Sequence, residues 1–465
     1  MTPQPSRSAD QPAPNRGEPR ELTLAVGAPA HGGHCVARPV DDPGGRVIFV
    51  RHALPGETVR ARLTEMTSRT WRADAVEILQ ASPDRVESVW PEAGPAGVGG
   101  GELAHVALDA QRTWKRWVLA DCLRRIGGQE VADAVAALPE ASAAAAVPIE
   151  PMPTDAAAQA SNSARRRALA GTATRTRVSL TVGEDGRPGM HAFRSGTVLP
   201  LRRLPLAVEA ITEIGLLERS RWRAHYRPGM RIEAIAPSGG EPVVLLDERL
   251  LTAQARSTGR RRVREVVDAS ALGLGELTYS VHAEGFWQVH VDAPRVLVER
   301  VVRGALGADL DGAAGSRVLE LYSGAGLFTL PLAALVGSDG EVVSLEGNEQ
   351  AVRDARRTLH DQPSARLASG RVSARSVREL AGSLTGGRPD VVVLDPPRQG
   401  AGREVIEAVG ALGAERIVLV ACDPAALARD LGTLLRSGYA LGSMSALDMF
   451  PHTHHFETIA VLERS

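Results

Sequence analysis

Arg317-Val-Leu-Glu-Leu-Tyr-Ser-Gly-Ala-Gly-Leu-Phe-Thr-Leu-Pro-Leu-Ala-Ala334 is the stretch that decides the fold. Residues 318–322 read as a buried parallel strand, Gly324 and Gly326 as a tight turn, and residues 328–335 as the first turns of a helix. In a doubly wound α/β sheet, a ligand sits beyond the carboxyl end of such a strand, where glycine lets backbone approach it. Leu327 and Phe328 follow Gly326, so the third glycine of a dinucleotide fingerprint is missing. No Lys-Ser/Thr pair completes a phosphate loop either. The next apolar run, residues 341–345, ends in Glu346, an acid placed to accept both hydroxyls of a ribose. A nucleoside-bearing cofactor without a pyrophosphate fits this pattern, and S-adenosylmethionine is the natural candidate.

The chain has 465 residues, too many for one core, which predicts two or three domains. Its apolar fraction of 43% predicts that most of it folds. No apolar run approaches the ~18–20 residues of a membrane span, and the opening residues do not read as a signal peptide. Residues 1–20, rich in Pro, Ser and charge, predict a disordered tail. Cys35, Cys122 and Cys422 lie far apart. They make neither a metal-ligand set nor an even disulfide set, which points to a reduced, cytoplasmic setting. The net charge of −1 gives no global basic signature for nucleic acid. Arginine nevertheless concentrates at 165–177, 219–231 and 256–264, and Lys115 is the only lysine. A GC-rich coding sequence accounts for that bias, although clustered guanidinium groups also grip phosphates and stack on bases.

Taken in order, residues 21–81 hold five strand-like runs (21–26, 36–39, 46–50, 57–64 and 71–79) separated by Gly-Gly, Pro-Gly-Gly and Pro-Gly. They predict a small OB-like barrel, either a nucleic-acid platform or a barrel with no ligand. Residues 82–273 predict a middle α+β domain. A helix is expected at 113–126, with Trp117, Cys122 and Leu123 inward. The alanine-rich stretch 131–147 reads as helix, linker or insertion, and paired strands are expected at 175–182 and 190–195. From residue 274 a βα alternation predicts a Rossmann-like domain, 274–465. Its later strands are expected at 391–394, 416–420, 438–448 and 455–463.

Three segments carry chemistry at the strand tips. Asp395-Pro396-Pro397-Arg398 follows the strand at 391–394, and Asp395 is placed to reach a base or ribose. An enzyme that methylates an exocyclic amine often has an aromatic after Pro-Pro; Arg398 there argues against amine chemistry. Cys422-Asp423-Pro424 follows the strand at 416–420 and opens a helix, whose positive end gives the thiol a reason to ionise. Residues 450–461 contain His452, His454, His455 and Glu457. Crowded into one loop without cysteine or acid partners, these histidines predict no metal site.

These motifs, in this order, resemble the RNA uracil-5-methyltransferase family. The resemblance covers 285–464 and rests on Asp-Pro-Pro-Arg, a Cys-Asx-Pro turn followed by Leu-Ala-Arg-Asp, and a terminal His-x-Glu. The segment His31-Gly32-Gly33-His34-Cys35-Val36-Ala37-Arg38, with Ala53-Leu54-Pro55-Gly56-Glu57, resembles the TRAM domain of RNA-modifying enzymes. The resemblance implies Cys422 as nucleophile and Glu457 as proton acceptor. It implies Gln288, Tyr322, Gly324, Glu346 and Asp395 as the cofactor site. Arg398 either anchors its loop or touches substrate. The partner implied is RNA, ribosomal rather than transfer RNA by analogy with the TRAM domain, with the target base flipped out of its stack. A monomer is the default. Many bacterial members hold an iron–sulfur cluster on four cysteines, but Val98, Gly101 and Leu204 stand at cysteine positions here, so no cluster is expected. Leu327 replaces a common asparagine and residues 372–377 lack an acid near the adenine, which predicts weaker cofactor binding. Two alternatives stay open: methylation of an amine on RNA or protein, and a catalytically silent RNA-binding relative.

Overall fold

The computed structural model describes residues 20–141, 146–310 and 312–465. The tail expected at 1–20 lies outside them except for Arg20, as do residues 142–145 of the alanine-rich stretch. The described residues divide into two compact units, 20–30 with 34–83 and 31–33 with 84–465.

In the first unit, β1 (Glu21–Ala30), β2 (His34–Pro39), β3 (Ile48–Arg51), β4 (Thr58–Met66) and β5 (Trp71–Gln80) close into a barrel in the order β1-β2-β3-β5-β4. The period of two is plain: Leu24, Val26, Val59 and Ala61 are buried, while Thr23, Ala25, Arg60 and Arg62 are exposed. Buried charges are met inside the barrel. Arg51 donates twice to Asp74, at 2.9 and 2.8 Å. Glu57 accepts from the Leu54 and Ser82 amides at 2.9 and 3.1 Å.

The second unit begins with α1 (Leu108–Cys122), α2 (Gln129–Ala136), β6 (Ile149–Pro151), α3 (Pro153–Gln159) and the short α4 (Ala164–Ala168). An antiparallel sheet of six strands follows: β7 (Arg177–Val182), β8 (Pro188–His191), β9 (Val198–Pro200), β10 (Arg231–Ile235), β11 (Val243–Leu246) and β12 (Arg249–Thr252). Their order is β12-β11-β10-β7-β8-β9, and α5 (Glu209–Thr212) and α6 (Ser220–Arg223) lie in the β9–β10 connection. The Glu184-Asp185-Gly186-Arg187 turn joins β7 to β8, so the strand expected at 190–195 lies instead at 188–191. Trp90, Val98, Leu180, Leu204 and Trp222 share the core of this layer.

A ribbon of β13 (Arg262–Asp268) and β14 (Glu276–His282) leads into the eight-stranded sheet. Its remaining elements alternate along the chain: α7 (Ala293–Leu306), β15 (Arg317–Leu321), α8 (Thr329–Val336), β16 (Glu341–Glu346), α9 (Glu349–Thr358), β17 (Ala365–Ser369), α10 (Ala374–Gly382), β18 (Val391–Leu394), α11 (Arg403–Ala411), β19 (Arg416–Ala421), α12 (Pro424–Arg436), β20 (Tyr439–Asp448) and β21 (Glu457–Arg464). The strand order is β17-β16-β15-β18-β19-β21-β20-β6, parallel through β19 and antiparallel at β21. Side chains of α7, α8 and α9 share one core with Val318, Val393 and Val418. Those of α10, α11 and α12 share the other with Leu319, Val392 and Ile417. With both faces covered, β18 is buried at every residue, the pattern of an interior parallel strand.

The helix expected at 113–126 begins five residues earlier and ends in a wider turn, Leu123–Gly127. Trp117, expected inward, is 38% exposed. Trp114, Lys115, Val118, Leu119 and Cys122 face in instead. Leu119, Leu123, Val131, Val135 and Ile149 join the core under α12, and β6 extends the large sheet beyond β20. Helices α1 and α2 and strand β6, read from sequence with the middle region, therefore pack with the C-terminal sheet. Among the described residues, no helix is long and apolar enough to cross a membrane.

Candidate active site

The carboxyl ends of β15, β16, β18 and β19 open on a cleft of about 1220 Å³. Gln288, Tyr322, Gly324, Glu346, Asp395, Arg398, Cys422 and Glu457, the eight residues singled out in the sequence, all line it.

The turn after β15 is built around left-handed backbone. Tyr322, Gly324 and Gly326 have φ of 65°, 55° and 87°, a region glycine enters freely and tyrosine only under constraint. The constraint is visible: the amides of Tyr322 and Ser323 both donate to the Leu345 carbonyl, at 2.8 and 3.3 Å. Glu346 completes the tie. Its Oε2 accepts from the Gly324 amide at 2.9 Å and its Oε1 from the Asn348 amide at 2.6 Å. Each carboxylate oxygen has a further lone pair, so Glu346 can hold the turn and still receive hydroxyls from the cleft. Below the turn, buried Glu320 accepts from Thr329 Oγ1 at 2.6 Å and Ser344 Oγ at 2.8 Å. Burial pushes Glu320 up to about 7.

Gln288 is buried, on a loop fixed from several sides. The Thr176 amide donates to the Val289 carbonyl at 2.8 Å, and the Val291 amide to the Thr174 carbonyl at 2.9 Å. His290 Nε2 lies 3.1 Å from Asp155 Oδ2. Trp287 packs on Tyr279 with ring centroids 5.1 Å apart, and Tyr279 Oη donates to the Leu327 carbonyl at 3.0 Å. Phe286, beside them on the cleft rim, is 76% exposed.

Acidic groups crowd the opposite wall. Asp395 keeps part of its surface open to the cleft, yet loss of water, then the Glu346 carboxylate, push it up to about 7. Glu457 is buried and raised well above the usual carboxylate range by burial and by Asp395, and its Oε1 has no protein partner. Cys422 is pushed up to about 12, first by burial and then by Glu457 and Asp395. Burial and the two carboxylates thus oppose the ionised thiol that a helix start would favour, and the helix end offers it little. Asp423 caps α12, taking the Ala425 and Ala426 amides at 3.0 and 2.8 Å. The donors expected to favour a thiolate are spent on a carboxylate. Arg398, exposed at the cleft edge, acts the other way on both Cys422 and Glu457.

His454 and His455 stack with ring centroids 4.0 Å apart. Burial, then His454 and Arg398, hold His455 down at about 3, so it is a neutral imidazole at neutral pH. Among the described residues no group of three metal-ligating side chains comes together. Two further cleft residues went unnoticed in the sequence: Glu102, whose Oε1 accepts from the Gly100 amide at 2.9 Å, and Arg175. They lie about 290 and 220 residues before Asp395; Glu102 belongs to no chemical motif, and Arg175 was visible only as part of the arginine-dense stretch 165–177.

Residues 276–465 match the tRNA (uracil-5-)-methyltransferase family model, and residues 18–76 match the TRAM domain model. A 23S rRNA (uracil(1939)-C(5))-methyltransferase of Acinetobacter baumannii is 30% identical, over 94% of this chain and 92% of the relative. The chain belongs to the RNA uracil-5-methyltransferase family. An uncharacterized RNA methyltransferase of Streptomyces avermitilis is 38% identical over 95% of this chain and 98% of its own length. A Pyrococcus abyssi tRNA (uracil-54, C5)-methyltransferase, solved with S-adenosyl-L-homocysteine, shares the fold. Its TM-score is 0.61 over 94% of this chain and 99% of that one, at 20% identity. The family is S-adenosylmethionine-dependent.

The methyltransferase cleft suits that cofactor. Asp395 and Glu457 line it, acids that suit a ligand bearing a positive charge, and Glu346 has lone pairs to spare for a hydroxyl donor. An iron–sulfur cluster does not fit. Val98 and Leu204 pack with Trp90 and Ala93 in an apolar core. A Cβ on Gly101 would lie 2.6 Å from Ala93 Cβ and 2.9 Å from a Trp90 ring carbon. Thiolate ligands are absent there and tryptophan takes up the space.

Two results follow from this geometry. Glu346→Ala removes the anchor of the glycine turn together with a carboxylate that lines the cleft. Hydrogen bonds to a charged group are worth about 1.5–3 kcal/mol each, so the cofactor dissociation constant should rise about 10- to 100-fold by titration calorimetry. An unchanged constant would remove Glu346 from the cofactor site. Because only the thiolate alkylates, Cys422 should react with iodoacetamide about tenfold faster per pH unit from roughly pH 7 to 9. A rate flat with pH would mean that the thiolate is already formed.

Proposed function

We propose that this methyltransferase moves a methyl group from S-adenosylmethionine to carbon 5 of a uridine in RNA through a covalent Cys422–uracil adduct. What carries the reading is the meeting of Cys422, Glu457 and Asp395 in one cleft with the Glu346 turn. Carbon 5 of uracil is a poor nucleophile. Addition of Cys422 Sγ to carbon 6 generates an enolate that is reactive at carbon 5. When bound, S-adenosylmethionine supplies the electrophilic methyl group. Gln288, Tyr322, Gly324, Glu346 and Asp395 are the residues we assign to holding it. Glu457, buried and rich in proton affinity, removes the remaining proton from carbon 5. The electrons of that bond re-form the double bond between carbons 5 and 6 as Sγ leaves. Were the cofactor held by these residues, its positive charge would favour the ionised forms of Cys422 and Glu457.

Ribosomal RNA is the favoured substrate. The ribosomal relative is alike over nearly the whole chain at 30% identity, whereas the likeness to the transfer RNA enzyme is one of fold. The exposed arginines of α4, Arg165, Arg166 and Arg167, and those of the loop before β13, Arg256, Arg260 and Arg261, are assigned to the RNA backbone. The test is the 5-methyluridine content of ribosomal and transfer RNA from cells with and without the gene, measured by mass spectrometry and mapped. Loss of one ribosomal position supports the reading; loss in transfer RNA moves the substrate; no change in any RNA removes it.

The enzyme is also proposed to work without iron. Purified protein should contain no iron by elemental analysis and keep full activity after dialysis against a chelator. Activity lost on chelation and restored by iron and sulfide would contradict this.

A further inference from the structure

Lys115 is the one lysine in a chain with 54 Lys and Arg residues together, and it is 0% exposed. A surface site in such a chain carries arginine. This slot takes a compact ammonium where the wider guanidinium fork would need more room. From α1, Lys115 Nζ donates to Asp448 Oδ1 and, at 3.1 Å, to the Phe450 carbonyl. One helical turn earlier, Gln111 is also fully buried. Its Oε1 accepts from the His452 amide at 2.7 Å, and its Nε2 lies 3.1 Å from His452 Nδ1. The same Nε2 donates to the Val106 carbonyl at 2.8 Å, which fixes the amide orientation. His452 has φ of 64°, a left-handed conformation that a non-glycine residue keeps only when its surroundings hold it.

Asp448 ends β20 and Glu457 opens β21, so residues 449–456 form the loop that delivers Glu457. Phe450, Thr453, His455 and Glu457 all line the cleft. Helix α1 therefore grips this loop at Asp448, Phe450 and His452. Breaking the ion pair would leave a charge buried and uncompensated, so the grip is stiff.

We propose that Lys115 and Gln111 are positioning residues for Glu457, setting the place of its carboxylate for removal of the carbon 5 proton. The proposal rests on the reading of Glu457 as proton acceptor. It predicts a kinetic split. Addition of Cys422 and transfer of the methyl group need the strand tips of β15 to β19, whereas release of methylated RNA needs Glu457 in register.

The test is single-turnover reaction of the full chain with labelled RNA and S-adenosylmethionine. SDS-stable protein–RNA adduct and free 5-methyluridine RNA are measured separately. The variants are Lys115→Met with Asp448→Leu, which replaces the buried pair with apolar groups, and Gln111→Leu, which leaves the pair intact. Each should form adduct at a rate within about threefold of wild type yet release product at least about tenfold more slowly, so that adduct accumulates. Adduct formation and release falling together, in step with the cofactor-binding fraction, would mean a structural role only and would overturn the proposal. Wild-type protein that makes neither adduct nor 5-methyluridine would instead overturn the functional reading beneath it.

Discussion

Cys422→Ala is expected to reduce 5-methyluridine formation to background, a loss of at least about 10⁴-fold, while leaving cofactor affinity within about twofold. The size of the effect follows from the chemistry: without a sulfur bond at carbon 6, carbon 5 has no enolate with which to attack a methyl group. The selectivity follows from the geometry. Cys422 stands at the tip of β19, whereas the Glu346 tie that shapes the cofactor turn joins β15 to β16. The same substitution separates the alternatives. An amine has its own lone pair and needs no thiol adduct, so amine methylation would survive Cys422→Ala. A silent RNA-binding relative would show no activity to lose.

Glu457→Gln is expected to slow turnover by about 10²–10⁴-fold, the usual reach of a general base, and to trap the enzyme on its substrate. Gln keeps the shape of the side chain and cannot accept the proton, so the methylated adduct has no route to elimination. The trapped species should be stable to SDS, carry one methyl group, and require Cys422. Turnover lost without any adduct would assign Glu457 a part in binding or addition instead. These two variants fail at different steps, and together they order the reaction.

The catalytic half was legible because parallel strands buried on both faces are written as apolar runs, and each run here ends in a chemically marked residue. Glu346 ends β16, Asp395 follows β18 and Cys422 follows β19, and the structure brings all three to one cleft. The sequence shows that a helix begins at Pro424, beside Cys422, but not that the thiol is buried next to Glu457 and Asp395, nor that Asp423 takes the free amides of the helix. The remaining gaps are long-range. Lys115 meets Asp448 across 333 positions and Gln111 meets His452 across 341. No local period records such a pairing, and solitary Lys115 among arginines was the one visible signal. Helices α1 and α2 were hard to place for the same reason. Their apolar face is an ordinary helical stripe, and nothing in it names α12 as the surface it covers.

The central claim, a covalent adduct between Cys422 and uracil, is tested most directly with RNA carrying 5-fluorouridine at the target position. Fluorine on carbon 5 cannot be removed as a cation by Glu457, so after methyl transfer the carbon–sulfur bond has no means of breaking. The account predicts an SDS-stable complex whose mass is that of protein, RNA and one methyl group, with the crosslink on the peptide containing Cys422. Methyl transfer to this RNA without any covalent complex would contradict it.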